Sequence, residues 1–241
     1  MAITCTLIDS INNASDLSSY SFTSKTYSNN KLYIVFVGTS HGTLLAPAPS
    51  AISGGGLTFT NVGTDVSYSS VGVRAISCWR ALVTSGATTG TVTITLTGNT
   101  PSTSCEAVIL ELDGIDTSGT NGSGAIVQSG TTSGSSTTLT VTLSAFGSAD
   151  NRPVGFFTWR ANSTGTVGSD FSLLTTNNHA SPSMGFLAEW HSTSNDNTVD
   201  ASWASAQCGA YALEIKAASS TPTSFPPTTQ PSLLYPSFFS R

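Results

Sequence analysis

Charge is scarce in this sequence. Asp, Glu, Lys and Arg make up 9% of its 241 residues, against about 25% in ordinary soluble domains. Lys and Arg number only eight and are scattered, and the net charge is -5. No basic stripe exists to neutralise a phosphate backbone, so a nucleic-acid partner is not expected. Long apolar runs are missing too, and no stretch reaches the length of a membrane-spanning helix. No window carries an apolar stripe at helical period. The opening MAITCTLIDSINNASD lacks the basic and apolar regions of a secretory signal. The expectation is therefore exit from the cell by another route, such as release within a virus particle.

Cysteine is sparse as well. Cys5, Cys78, Cys105 and Cys208 lie at long, irregular spacings with no CxxC pair, which argues against zinc. Each falls in a strand-like segment, so they read as small buried hydrophobes, with one or two disulfides as the alternative. No metal and no cofactor is expected.

Hydroxyls fill the place of charges: Ser and Thr together are roughly a third of the chain. That habit suits an extracellular or particle-surface protein better than a cytosolic enzyme. The organising stretch runs from Val71 to Ile115 and holds three strand-like segments, Val71–Val83, Thr91–Gly98 and Ser104–Ile115. In the second, Val92, Ile94 and Leu96 alternate with threonines, the period-two signature of a half-buried strand. Glycines and Pro101 between the segments call for short turns, and the stretch reads as the centre of an antiparallel β-sandwich.

Further strand signals recur about every 10 to 20 residues along the chain, the all-β rhythm. Ile3–Ile8 precedes a polar turn region, and Tyr20–Tyr27 leads into Lys31–Ser40, apolar at nearly every position as expected for a strand covered on both faces or central in its sheet. A Pro/Ala/Gly loop, Ala46–Gly56, precedes the short strand Leu57–Val62. Asp116–Ser136 reads as a loop with a short strand at Ala125–Gln128. Thr137–Phe146, Arg152–Ala161, Phe171–Thr176, Met184–His191, Thr198–Ser205 and Cys208–Ala217 complete the set. The predicted organisation is a β-sandwich domain over 1–217 and an extended arm over 218–241. The arm holds five of the ten prolines and ends with Leu233, Leu234, Tyr235, Phe238 and Phe239. Proline at that density excludes a central strand. The five apolar side chains are the expected partner-binding residues, gripping a neighbouring subunit.

Several constellations invite a chemical reading. Gly38–Gly42 matches G-x-S-x-G around Ser40, but the following TLLAPAP cannot form the helix a nucleophile elbow needs; a strand-end turn is expected. Glu189 and His191 share a strand face, with His179 nearby, yet no third ligand stands at a useful spacing, so a surface pair is expected. Glu106, Glu111, Asp113 and Asp116 form the densest acidic cluster, with Glu111 and Asp113 on one face as for a calcium site or a glycosidase pair; solvated charges near the Gly114 turn are the plainer reading. Trp79, Trp159, Trp190 and Trp203, with Tyr20, Tyr27, Tyr33 and Tyr68, would stack sugars only if exposed, and their placement in strands predicts core packing. No enzymatic activity is expected.

Five segments in order carry a resemblance: KLYIVFV from Lys31, ISCWRA from Ile76, GTVTITL from Gly90, AVILELDGID from Ala107 and YALEIK from Tyr211. Over residues 20–217 they resemble β-sandwich surface proteins of tailed bacteriophages, of the head-decoration and tail-associated kind. The resemblance implies a jelly-roll or Ig-like domain on the outer surface of a virion, bound to the major capsid protein and to copies of itself. It carries no active-site motif. The function it suggests is a capsid decoration or cement protein; the alternative is a tail-associated or adhesin-type module binding a receptor or glycan.

Overall fold

The computed structural model describes residues 2–69, 73–97 and 102–219. The described chain is almost wholly antiparallel β. In order it forms β1 (Thr4–Asn13), β2 (Ser19–Ser21), β3 (Lys25–Thr26), β4 (Leu32–Ser40), β5 (Pro49–Gly54), β6 (Leu57–Thr58), β7 (Thr60–Asn61), β8 (Val66–Tyr68) and β9 (Arg74–Ala81). There follow β10 (Thr89–Gly90), β11 (Val92–Leu96), β12 (Ser104–Asp113) and a 3-10 segment, Thr120–Ala125. The remainder is β13 (Ile126–Thr142), β14 (Arg152–Trp159), β15 (Thr166–Val167), β16 (Ser172–Ala180), β17 (Ser183–Trp190) and β18 (Thr198–Ile215).

The expected all-β sandwich is present, with more layers than two. The middle sheet has the order β1-β12-β4-β9, with β7 and β8 both on the far edge of β9. All nine residues of β4 are buried, and the pleat sends them alternately to two cores. Leu32, Ile34 and Phe36 face one core, shared with Val154, Phe156, Phe186, Tyr211 and Leu213 of a sheet ordered β13-β18-β14-β17-β16. Tyr33, Val35 and Val37 face the other, shared with Tyr20, Ile52, Val92, Ile94 and Leu96 of the sheet β2-β11-β5-β6. The continuous apolar run at Lys31–Ser40 thus has the cause expected of it: cover on both faces.

A third core lies on the outer side of the β14 and β17 strands. There Phe157, Trp159 and Leu187 meet Val141, Val199, Ala201 and Trp203 from the distal halves of β13 and β18. The ladder between β13 and β18 breaks register between Ser136 and Thr138, and a bulge there bends the ribbon back over its own sheet. Trp159 and Trp203 stack with centroids 4.8 Å apart at 4°.

Several local expectations change. β12 and β9 flank β4 in the middle sheet, but β11 lies in a different sheet, so Val71–Ile115 does not form one contiguous centre. β1 continues to Asn13 through the polar residues read as a turn. Asp116–Ser136 is largely not a loop: β13 starts at Ile126 and runs 17 residues. Thr198–Ser205 and Cys208–Ala217 belong mostly to one strand of 18 residues, β18. Backbone pairing supplies what those sequences lack in apolar alternation.

Candidate functional site

Polar side chains enter the fold at one end of the interface between the middle sheet and the β14 sheet. Along β4 the inward row runs Leu32, Ile34, Phe36, then Gly38 and Ser40. Gly38 pairs with Ile76 and Glu106, and Ser40 with Arg74 and Ser104. A Cβ on Gly38 would lie 2.9 Å from Thr158 Cγ2 and 3.2 Å from Met184 Cε. The two sheets close tightly at that point.

Glu106 is wholly buried, and its Oε1 meets Nε2 of His179, which reaches across from β16. Burial drives the Glu106 carboxyl above its ordinary range and the His179 contact pulls part of that back. For His179, burial alone favours the neutral ring, but the Glu106 carboxylate outweighs it and the imidazole titrates above its usual value. Each member of the pair therefore titrates above its ordinary value. Arg74, also buried, donates to the carbonyls of Val73 (3.0 Å) and Ser183 (3.3 Å). The arrangement contains an acid–base couple, yet neither member lines the two clefts described below. Its geometry suits a crossbeam between sheets. Sequence reading missed it because the partners stand 73 residues apart.

The other expected constellations separate. Ser40 Oγ sits in a hydroxyl cluster with Thr103 (2.8 Å) and Ser104 (2.6 Å), while His41 Nδ1 accepts the N–H groups of Thr43 and Leu44. A strand-end turn is what stands there. Glu189 and His191, expected at the surface, are buried. Glu189 accepts the Gly168 N–H at 3.1 Å, and burial, with Asp200 adding to it, lifts its carboxyl to about 8. His191 Nδ1 accepts the Ser194 N–H at 3.1 Å, and its ring stands edge-on to Phe171. Glu111 accepts the Tyr33 hydroxyl, Asp113 pairs with Lys31, and the Lys216 ammonium beside Asp116 holds that carboxyl down at about 2. These charges are neutralised singly rather than gathered, and no cluster of three metal-ligating side chains occurs among the described residues. All four tryptophans and the four named tyrosines are buried. Trp190, the natural candidate for a sugar platform, packs inward. The four thiols are free.

Two open clefts stand out among the described residues. One, of about 550 Å³, is lined by Asp170, His191 and Thr193–Asp196. The larger, of about 690 Å³, lies between Ile126, Val127, Ser148 and Asn151 and the segment Lys216–Ser219. The chain is fastened firmly along this edge. Asp116 N–H donates to Lys216 O (3.0 Å), Lys216 N–H to Ala125 O (2.8 Å), and Ala218 N–H to Gly114 O (2.9 Å). Asn151 Oδ1 accepts the Ala217 N–H at 3.1 Å, and Lys216 Nζ stands 2.7 Å from Asp116. Leu233, Leu234, Tyr235, Phe238 and Phe239, the expected partner-binding residues, lie outside the described residues.

Comparison with protein-family models, with curated proteins and with solved structures finds no match.

Proposed function

We propose that this chain is a virion structural protein, a capsid decoration or cement protein seated on the outer surface of a particle. It has no catalytic role in this reading. Its β domain is the rigid body, and the segment beyond Ser219 is a tether that binds a neighbouring copy and the major capsid protein.

The observation that carries the reading is the fastening of the chain up to Ala218. Three backbone–backbone hydrogen bonds, one bond from the Ala217 N–H to the Asn151 side chain and the Lys216–Asp116 ion pair hold Lys216, Ala217 and Ala218 to the body. Beyond Ser219 the sequence continues with 22 residues, five of them proline, that include Leu233, Leu234, Tyr235, Phe238 and Phe239 near the end. Proline pre-extends such a segment and lowers the entropy of ordering it on a partner. Each apolar side chain buried on that partner returns about 1.5–3 kcal/mol. The hydroxyl-rich, charge-poor composition adds support, because neighbouring copies can pack with little mutual repulsion.

Solution mass tests the tether. The full chain should form a larger assembly than a chain ending at Ser219, which should remain folded. Equal masses for the two, at every concentration, would remove the tether from the account.

A further inference from the structure

The edge of the β14 sheet is a second surface built for association. β13 spans 17 residues, IVQSGTTSGSSTTLTVT, without a charge or a proline. β18 is its one strand partner among the described residues, so its other side presents a row of N–H and C=O groups. Natural sheets blunt such an edge with charge, proline, shortness or a covering element.

Other edges among the described residues are guarded in those ways. β16, the opposite edge of the same sheet, lies against β1, and Asn12 Nδ2 bonds Asn178 O at 3.3 Å. β1 carries Asp9, whose carboxylate takes the Thr23 N–H and hydroxyl. β2 and β6 have three and two residues. β13 is the long exception. Its ladder to β18 runs without a break from Gln128 to Ser136, and Thr131, Ser133 and Ser135 are exposed.

We infer that β13 pairs antiparallel with β13 of a second copy of this chain, continuing the β14 sheet across a two-fold axis. A two-fold brings the same edge against itself in the polarity the sheet already uses. The run Ser129–Ser136 consists entirely of Ser, Thr and Gly, so two copies meet there with no like charges opposed, although each chain carries a net charge of -5. The segment beyond Ser219 suits this edge less well, because its five prolines cannot donate to a ladder. The inference names a surface for the self-association in the reading above and rests on that part of it.

The test is sedimentation velocity over a concentration series on four chains: full length, ending at Ser219, and each of these with Thr131→Lys and Ser133→Lys. Both substituted side chains are exposed, and lysines opposed across the two-fold repel. The expected result is a dimer for the chain ending at Ser219, self-association about tenfold weaker or more in its lysine variant, and the same melting temperature for both. Amide exchange should slow over residues 129–136 as concentration rises. A shortened chain that is monomeric throughout, or lysines without effect, overturns the β13 pairing. If association is lost on shortening alone, the tether stands and the β13 pairing falls. If the lysines abolish it while shortening does nothing, the β13 pairing stands and the tether falls.

Discussion

His179 of β16 and Glu106 of β12 join two sheets through one contact, Nε2 to Oε1, with the carboxylate fully buried. His179→Ala leaves that carboxylate without its partner, and removing one member of a buried pair costs roughly 3–5 kcal/mol. His179→Gln, which keeps a donor, should lose less. The pH dependence has a definite sign. His179 and Glu106 both titrate above their ordinary values in the fold, so the folded chain binds protons more tightly than the unfolded one. The contribution is complete at acidic pH and is lost as pH rises through the folded value of the pair. Urea denaturation at pH 6 and pH 9 should show a larger stability difference for wild type than for Glu106→Gln, which removes both the buried carboxyl and the charge that raises His179.

Glu189 gives the same sign with no cationic partner beside it. Its folded value of about 8 stands above the ordinary 4.5. Between those values the folded chain keeps a proton that the unfolded chain has released, so stability falls with rising pH by up to about 1.4 kcal/mol per unit. Glu189→Gln removes the titration. It should flatten the profile between pH 5 and 8 and add about 1–4 kcal/mol at pH 8. A profile that stays as steep in the variant contradicts the assignment.

Gly185 lies directly under the Trp159 indole. A Cβ there would fall 2.5 Å from Nε1 and 2.6 Å from Cε2, and the ring cannot retreat because Trp203 is stacked against it. Gly185→Ala should cost about 1–3 kcal/mol by overpacking, a fall in melting temperature of roughly 2–12 °C, measured by calorimetry.

The two faces of the middle sheet bury separate cores. Phe36 stacks on Phe156 with centroids 5.3 Å apart, and Ile94 is fully buried on the opposite side. Phe36→Ala should cost about 3–5 kcal/mol and Ile94→Ala about 2–5 kcal/mol. Because the sites share no core cluster, the double variant should be additive within about 0.5 kcal/mol.

How much of this was legible depended on whether local pattern carried the information. The unbroken apolar run of β4 announced cover on both faces, and Val92, Ile94 and Leu96 announced a half-buried strand. Which sheet that strand joins was not legible, because pairing to β2 and β5 is a tertiary choice with no trace in a period of two. β13 was hidden for a related reason: Ser129–Ser136 lacks apolar alternation and is held by its ladder to β18. Glu106–His179 was invisible at 73 residues' separation, and the composition that made Glu189 and His191 look solvated said nothing of the β15–β16 loop and strands that cover them.

The most direct measurement is the amount of this chain on particles purified by density gradient, for the full sequence and for one lacking Leu233–Arg241. The account predicts a fixed number of copies per particle for the full chain and loss of incorporation for the shortened one, with its β domain still folded. Full occupancy by the shortened chain, or absence of the full chain from purified particles, would contradict it.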